Sequence, residues 1–196
     1  MREIEQSMAE HNTEGASVRL LKTVVMVGMM GAGKTAVGKA LAAKLHVPFK
    51  DSDAEIELAA NMTIPEIFAR DGEPFFRDKE SQIIARLLEG VPAVLSTGGG
   101  AYLASENRTL ISQKGVAVCL QADLAVLWSR VRHRDTRPLL RTPDPYATLK
   151  GLYKDREPLY ARADLIVVSD GVASIETMVD RVIAALSTRP DVLEIS

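Results

Sequence analysis

Residues Gly28 to Thr35 read GMMGAGKT, an uninterrupted G-x-x-x-x-G-K-T, and the residues on either side of this stretch decide the fold. The apolar run Thr23-Val24-Val25-Met26-Val27 precedes it, and Val37, Leu41 and Leu45 follow at helical spacing. That is the strand–loop–helix setting in which the motif carries meaning. Glycines let the backbone curl so that successive N–H groups point at one phosphate, and the helix N-terminus adds its positive dipole end. The phosphate-binding residues are therefore Gly31, Ala32, Gly33, Lys34, Thr35 and Ala36. Lys34 reaches the β- and γ-phosphates, and the Thr35 hydroxyl is placed to ligate Mg²⁺. The loop implies a nucleoside triphosphate without saying what is done with it.

Outward from the loop, five short apolar runs alternate with helical patterns: residues 24–28, 48–51, 93–97, 116–120 and 165–169. They are apolar on both parities, as strands covered on both faces are. Strands separated by helices predict an α/β fold with a parallel sheet and right-handed crossovers. In the last helix, Ile175, Met178, Val179, Val182, Ile183 and Leu186 form one apolar stripe, and Ser174 is its expected N-cap. Trp128, with Leu124 and Leu127, reads as core.

The chain has 196 residues, enough for one well-packed α/β domain. Its net charge of −2 argues against a general nucleic-acid binder, and the arginine cluster from Arg130 to Arg141 lacks interleaved aromatics. No apolar stretch approaches a membrane span, and the first 20 residues carry no hydrophobic signal segment. The single cysteine, Cys119, lies in the apolar run VAVCL and fits a reducing, cytoplasmic setting. His11, His46 and His133 show no metal-ligand spacing. No exposed apolar heptad or strand suggests a partner face, so a monomer is expected.

The chemistry-bearing groups cluster at the carboxyl ends of the runs. The second run ends in Asp51-Ser52-Asp53, and strand alternation would put both carboxylates on one side, near the ligand-binding edge of the sheet. The third run ends in Ser96-Thr97-Gly98-Gly99-Gly100, without a carboxylate. Asp51 is then the candidate acid on the magnesium side, through water, and Asp53 is left to accept a hydroxyl proton from a second substrate. A helix-capping Asp pair is the plainer alternative. Gly98, Gly99 and Gly100 offer N–H groups to a small polar ligand, or else form an ordinary turn. Arg77 and Glu80, after the turn Asp71-Gly72-Glu73-Pro74, could be a surface ion pair, and Arg156 a solvated helix residue. Together with Arg137, in the polar, proline-punctuated segment Arg130–Pro145, they supply three guanidinium groups that match a carboxylate. The second substrate then reads as small, anionic and hydroxylated.

GMMGAGKT, FKDSDAEIE, GEPFFRDKE, STGGGA, TRPLL and YKDREPLYARAD, in this order between Lys22 and Leu186, resemble the shikimate kinases, a branch of the nucleoside-monophosphate-kinase-like phosphate-loop proteins. The resemblance implies a three-layer α/β/α kinase fold with five parallel strands in order 2-3-1-4-5. It implies a single domain over residues 22–188, with a substrate-binding helical region at about 53–80 and a closing lid at about 131–145. Residues 1–21 would be a poorly ordered polar extension, and 189–196 a tail. It further implies ATP- and Mg²⁺-dependent phosphorylation of the shikimate 3-hydroxyl. Asp53, Arg77, Arg156 and the backbone of Gly98–Gly100 would hold shikimate, Arg137 would come from the lid, and Arg130 would lie against adenine. Lys34, Asp53 and Arg137 form the catalytic set. A related kinase of gluconate or a nucleoside monophosphate, and an ATP-binding module without transfer activity, are the competing readings.

Overall fold

The computed structural model describes residues 18–133 and 138–196. In chain order, strands β1 (Val18–Leu20) and β2 (Thr23–Val27) precede helix α1 (Lys34–Lys44). Strand β3 (Phe49–Asp51) leads into α2 (Ser52–Ala60) and α3 (Ile64–Leu88), then β4 (Val94–Ser96), α4 (Ser105–Lys114) and β5 (Gly115–Ala122). The remainder is α5 (Leu124–Val131), α6 (Pro145–Tyr160), β6 (Leu165–Ser169), α7 (Ile175–Leu186) and β7 (Leu193–Ile195).

Five strands form one parallel sheet in the order β3-β4-β2-β5-β6. Counted along the chain within the sheet this is 2-3-1-4-5, the expected order. β2 is central, and Val24, Val25 and Met26 are wholly buried, as are Val116, Ala117 and Val118 of β5. Helix α1 packs against α7, β3 and β4, while α4 lies on β5 and against α3. The register sets Asp51 of β3 beside Ser96 of β4, and Ser96 beside Met26 of β2. The loops that follow these three residues therefore emerge side by side at the carboxyl edge, where strand order reverses and α/β sheets bind ligands.

β6 departs from the expectation of strands covered on both faces. It closes one edge of the sheet, and Ile166 and Val168 are exposed while Val167 and Ser169 are buried. An edge strand with one covered face alternates instead of running apolar throughout. The segment 71–74, read as a turn, is a kink inside α3. Gly72 takes φ 82°, ψ 170°, a conformation favoured only by glycine, and Pro74 falls in the first turn of the resumed helix, where its missing N–H costs nothing.

Both chain-end boundaries move. Val18–Leu20, placed in the polar extension, pairs antiparallel with Leu193–Ile195, placed in the tail. Leu21 N–H donates to Val192 O at 2.8 Å, Lys22 Nζ meets Asp191 Oδ2 at 2.8 Å, and Leu20, Val192 and Leu193 are buried. Residues 1–17 lie outside the described residues. Burying a Val or Leu side chain stabilises by about 1.5–3 kcal/mol. Deleting residues 190–196 is therefore expected to cost about 3 kcal/mol, read as a lower urea midpoint. An unchanged midpoint would show the ribbon to be ornamental.

Candidate active site

The loop between β2 and α1 turns into the helix at Gly33, whose φ of 97° lies where only glycine is unstrained. The first helical bond runs from Val37 N–H to Gly33 O, at 2.9 Å. The N–H groups of Lys34, Thr35 and Ala36 precede it and face out of the helix end, with no acidic side chain in that turn. Lys34 Nζ arches back over the loop, donating to Gly28 O at 2.8 Å and Met29 O at 3.1 Å. Thr35 Oγ1 and Ser96 Oγ share a hydrogen bond at 3.3 Å, joining the loop to the end of β4.

A cleft of about 660 Å³ runs from this loop across the sheet edge. Its walls include Gly31, Ala32, Gly33, Lys34, Thr35 and Ala36 on one side and Asp51, Asp53, Ser96, Gly98 and Gly99 on the other. One end is closed by Arg130, Ser169, Ala173, Ile175 and Met178. Arg130 Nη1 donates to Gly31 O at 3.1 Å and its Nη2 to Ser169 Oγ at 3.3 Å, so Arg130 ties the phosphate loop to the end of β6. Ile175, expected within the core stripe of the last helix, is half exposed at this end of the cleft, one residue past the Ser174 cap.

Asp51 and Asp53 share the cleft, but not through strand alternation. The strand stops at Asp51, which caps α2, its Oδ1 accepting from the N–H groups of Asp53 at 3.0 Å and Ala54 at 3.4 Å. Asp53 stands in the first turn of that helix. Its Oδ1 is buried without a hydrogen-bond partner. Burial pushes its pKa up to about 6, and Asp51 adds to the rise while Lys34 opposes it.

The triple-glycine loop lies against this carboxylate and the arginines. A Cβ on Gly98 would fall 2.7 Å from Asp53 Oδ1 and 3.3 Å from Glu80 Oε1; one on Gly100 would fall 2.6 Å from Arg77 Cζ. On Gly99 it would be 3.7 Å from Tyr160 Oη and 3.8 Å from Arg156 Nη1. At Gly98 and Gly100 no side chain larger than hydrogen leaves these groups where they are, whereas at Gly99 a Cβ would make ordinary contact. Ser52 Oγ accepts from Gly98 N–H at 3.3 Å, and Asn107 and Arg108 hold the carbonyls of residues 101–103 just beyond.

Arg77 and Glu80 are not a surface pair. Arg77 Nη1 meets Glu80 Oε2 at 2.8 Å, and Glu80 is only 1% exposed. Burial raises the Glu80 pKa while Arg77 holds it down, and its Oε1 is buried without a partner. Glu73 Oε1 takes a second, exposed bond from Arg77 at 3.2 Å. Ser96 and Tyr160 are the neighbours to which sequence reasoning gave no role, and Glu80 was read only as half of a surface ion pair. Tyr160 had a signal, since it follows Arg156 by four residues on one helix face. Arg137 lies outside the described residues, as do residues 134–136 of the segment read as a lid. Trp128 is partly buried, edge-on to Tyr146 with ring centroids 5.3 Å apart.

The donors near Thr35 are hard oxygens: the Thr35 and Ser96 hydroxyls and the Asp51 carboxylate. Among the described residues no group of three or more His, Cys, Asp or Glu could hold a metal alone. Such a set suits Mg²⁺, which takes one or two protein oxygens and fills its shell with phosphate and water.

A phosphate loop facing an acceptor pocket of buried carboxylate and guanidinium groups, on a 2-3-1-4-5 parallel sheet, defines a phosphate-loop kinase of small molecules. The family model described as shikimate kinase matches residues 30–187, and the chain belongs to that family. It is 71% identical over 194 residues to the shikimate kinase of Ruegeria pomeroyi, covering 97% of this chain and all of that one. It is 68% identical to the shikimate kinase of Cereibacter sphaeroides, covering 90% of this chain and 88% of the other. A solved structure of shikimate kinase from Acinetobacter baumannii in complex with shikimate superposes with a TM-score of 0.81 at 36% identity, covering 86% of this chain and 95% of that one.

Proposed function

We propose that the chain transfers the γ-phosphoryl group of ATP to the 3-hydroxyl of shikimate, yielding shikimate 3-phosphate and ADP on the route to chorismate and the aromatic amino acids. The observation that carries this reading is the continuity of one cleft from the phosphate loop to Asp53 and the glycine loop. Donor phosphate and acceptor hydroxyl can meet in it without crossing solvent.

Phosphoryl transfer passes through a loose transition state, so the protein mainly positions the reactants and stabilises charge. The N–H groups at the start of α1 cradle the phosphates, and Lys34 turns from the loop carbonyls to the moving phosphoryl group. Asp53 orients the 3-hydroxyl and takes its proton through the unpartnered Oδ1; little base strength is needed at that step. Arg77 and Arg156 grip the substrate carboxylate, and the Gly98–Gly100 backbone closes around the ring. Thr35, with Asp51 through water, would hold Mg²⁺, which would draw off phosphate charge when bound. Arg130 lies against adenine at the closed end of the cleft. Arg137 enters from the lid, whose closure limits ATP hydrolysis by water. The enzyme acts as a cytoplasmic monomer and uses no nucleic acid or membrane.

Mg²⁺-dependent ADP release, measured with shikimate, gluconate and nucleoside monophosphates in turn, tests the reading. Release with shikimate alone is expected. Release with gluconate or a nucleotide alone would move the chain to a related kinase, and none with any acceptor would leave an ATP-binding module.

A further inference from the structure

Tyr160 ends α6 and is 3% exposed, yet its hydroxyl reaches into the acceptor pocket and donates to Gly99 O. Arg156, one helical turn earlier on the same face, brings its guanidinium to the same phenol. Burial pushes the Tyr160 pKa up to about 12, with the Arg156 charge and hydrogen bond opposing the rise. The phenol therefore keeps its proton across the working pH range, donating to Gly99 while its oxygen accepts from Arg156. A trans peptide sets its C=O and the following N–H on opposite sides. With Gly99 C=O held by the phenol, the Gly100 N–H is fixed facing away from it.

We propose that Tyr160 is a positioning residue for the acceptor, one buried hydroxyl locking the Gly99–Gly100 peptide and aiming the Arg156 guanidinium at the substrate's carboxylate. The proposal rests on the shikimate reading above. The chain contains its own control. Tyr102, 1% exposed, stacks on Tyr160 with centroids 6.5 Å apart, and its hydroxyl donates to Arg162 O at 3.2 Å. That bond is of the same kind and equally buried, but it ends on a backbone carbonyl beyond the pocket.

A carboxylate grip acts equally in the ground and transition states, so its loosening raises KM and spares kcat. The test compares the full-length wild type, Tyr160→Phe and Tyr102→Phe by ADP release against shikimate and against ATP, with the thermal midpoint of each. Tyr160→Phe is expected to raise KM for shikimate roughly tenfold, the worth of one charge-assisted hydrogen bond. Its kcat should stay within about threefold and its KM for ATP should not move. Tyr102→Phe should lower the midpoint comparably and leave both KM values alone. In an Arg156→Lys background, the Tyr160→Phe effect should shrink below about threefold, because the two groups act as a unit. An unchanged KM in Tyr160→Phe, an equal loss toward ATP, or a full tenfold effect without Arg156 would each overturn the proposal. The wild type's acceptor is measured before any variant, so failure of the shikimate reading shows there and separately.

Discussion

Asp53→Asn is expected to reduce turnover of shikimate about 10³-fold while making the unliganded protein more stable by about 2–3 kcal/mol above pH 7. Both effects come from one carboxylate held in a poorly solvated place. The Asp53 pKa is raised to about 6, burial being the main cause, against about 4 in an unfolded chain. Between these values the folded state holds a proton that the unfolded state has released. Stability therefore falls as pH rises through this window, and the cost is complete above about pH 6. Asparagine keeps the shape without the charge, so its stability advantage should be present at pH 7.5 and vanish near pH 4. Nucleotide affinity should be retained, because the phosphate loop does not depend on Asp53. The same titration predicts that wild-type kcat/KM for shikimate falls about tenfold per pH unit below about 6, as the acceptor of the hydroxyl proton fills. Denaturant melts at the two pH values, with steady-state rates, decide it. Near-normal turnover in the variant would remove Asp53 from the chemistry; a stability gain equal at both pH values would remove its charge from the explanation.

The phosphate loop was legible from sequence because its requirements are local: glycine where φ is positive, lysine and threonine at the helix start, a buried strand before it. The sheet order came from a resemblance spread over six motifs, and the hydrogen-bond register agrees with it. Asp51 and Asp53 were found for a reason that does not hold. The strand ends two residues sooner than alternation needs, and a helix cap brings the second carboxylate round instead. Glu80 illustrates what sequence hides. An i,i+3 Arg–Glu pair reads the same in water or in the interior, and here residues 98–100, which follow β4, fold against it. Ile175 fails in the opposite sense, since a helical stripe cannot report that its first member overhangs a cleft.

Arg77→Met should separate what the arginine does for the fold from what it does for the substrate. Removing one partner of a buried ion pair costs about 3–5 kcal/mol, because the other charge is left without compensation. Glu80 is 1% exposed while the Arg77 side chain keeps 35% of its surface, so water softens the loss, and about 2–3 kcal/mol is expected. Methionine retains the stem that packs beside Phe76, over whose ring the guanidinium lies at 5.1 Å. The kcat/KM for shikimate should fall about 10²-fold, by loss of a charge-assisted grip. Both losses could be blamed on a loosened fold, and the double variant Arg77→Met/Glu80→Leu resolves this. With the orphaned charge gone, replacing the pair by apolar groups should return stability to near wild type. The kcat/KM should stay low, because the Arg77 guanidinium is still missing from the carboxylate grip. If instead the double variant recovers shikimate turnover along with its stability, Arg77 serves the fold alone, and the carboxylate grip must be assigned to Arg156 and the lid.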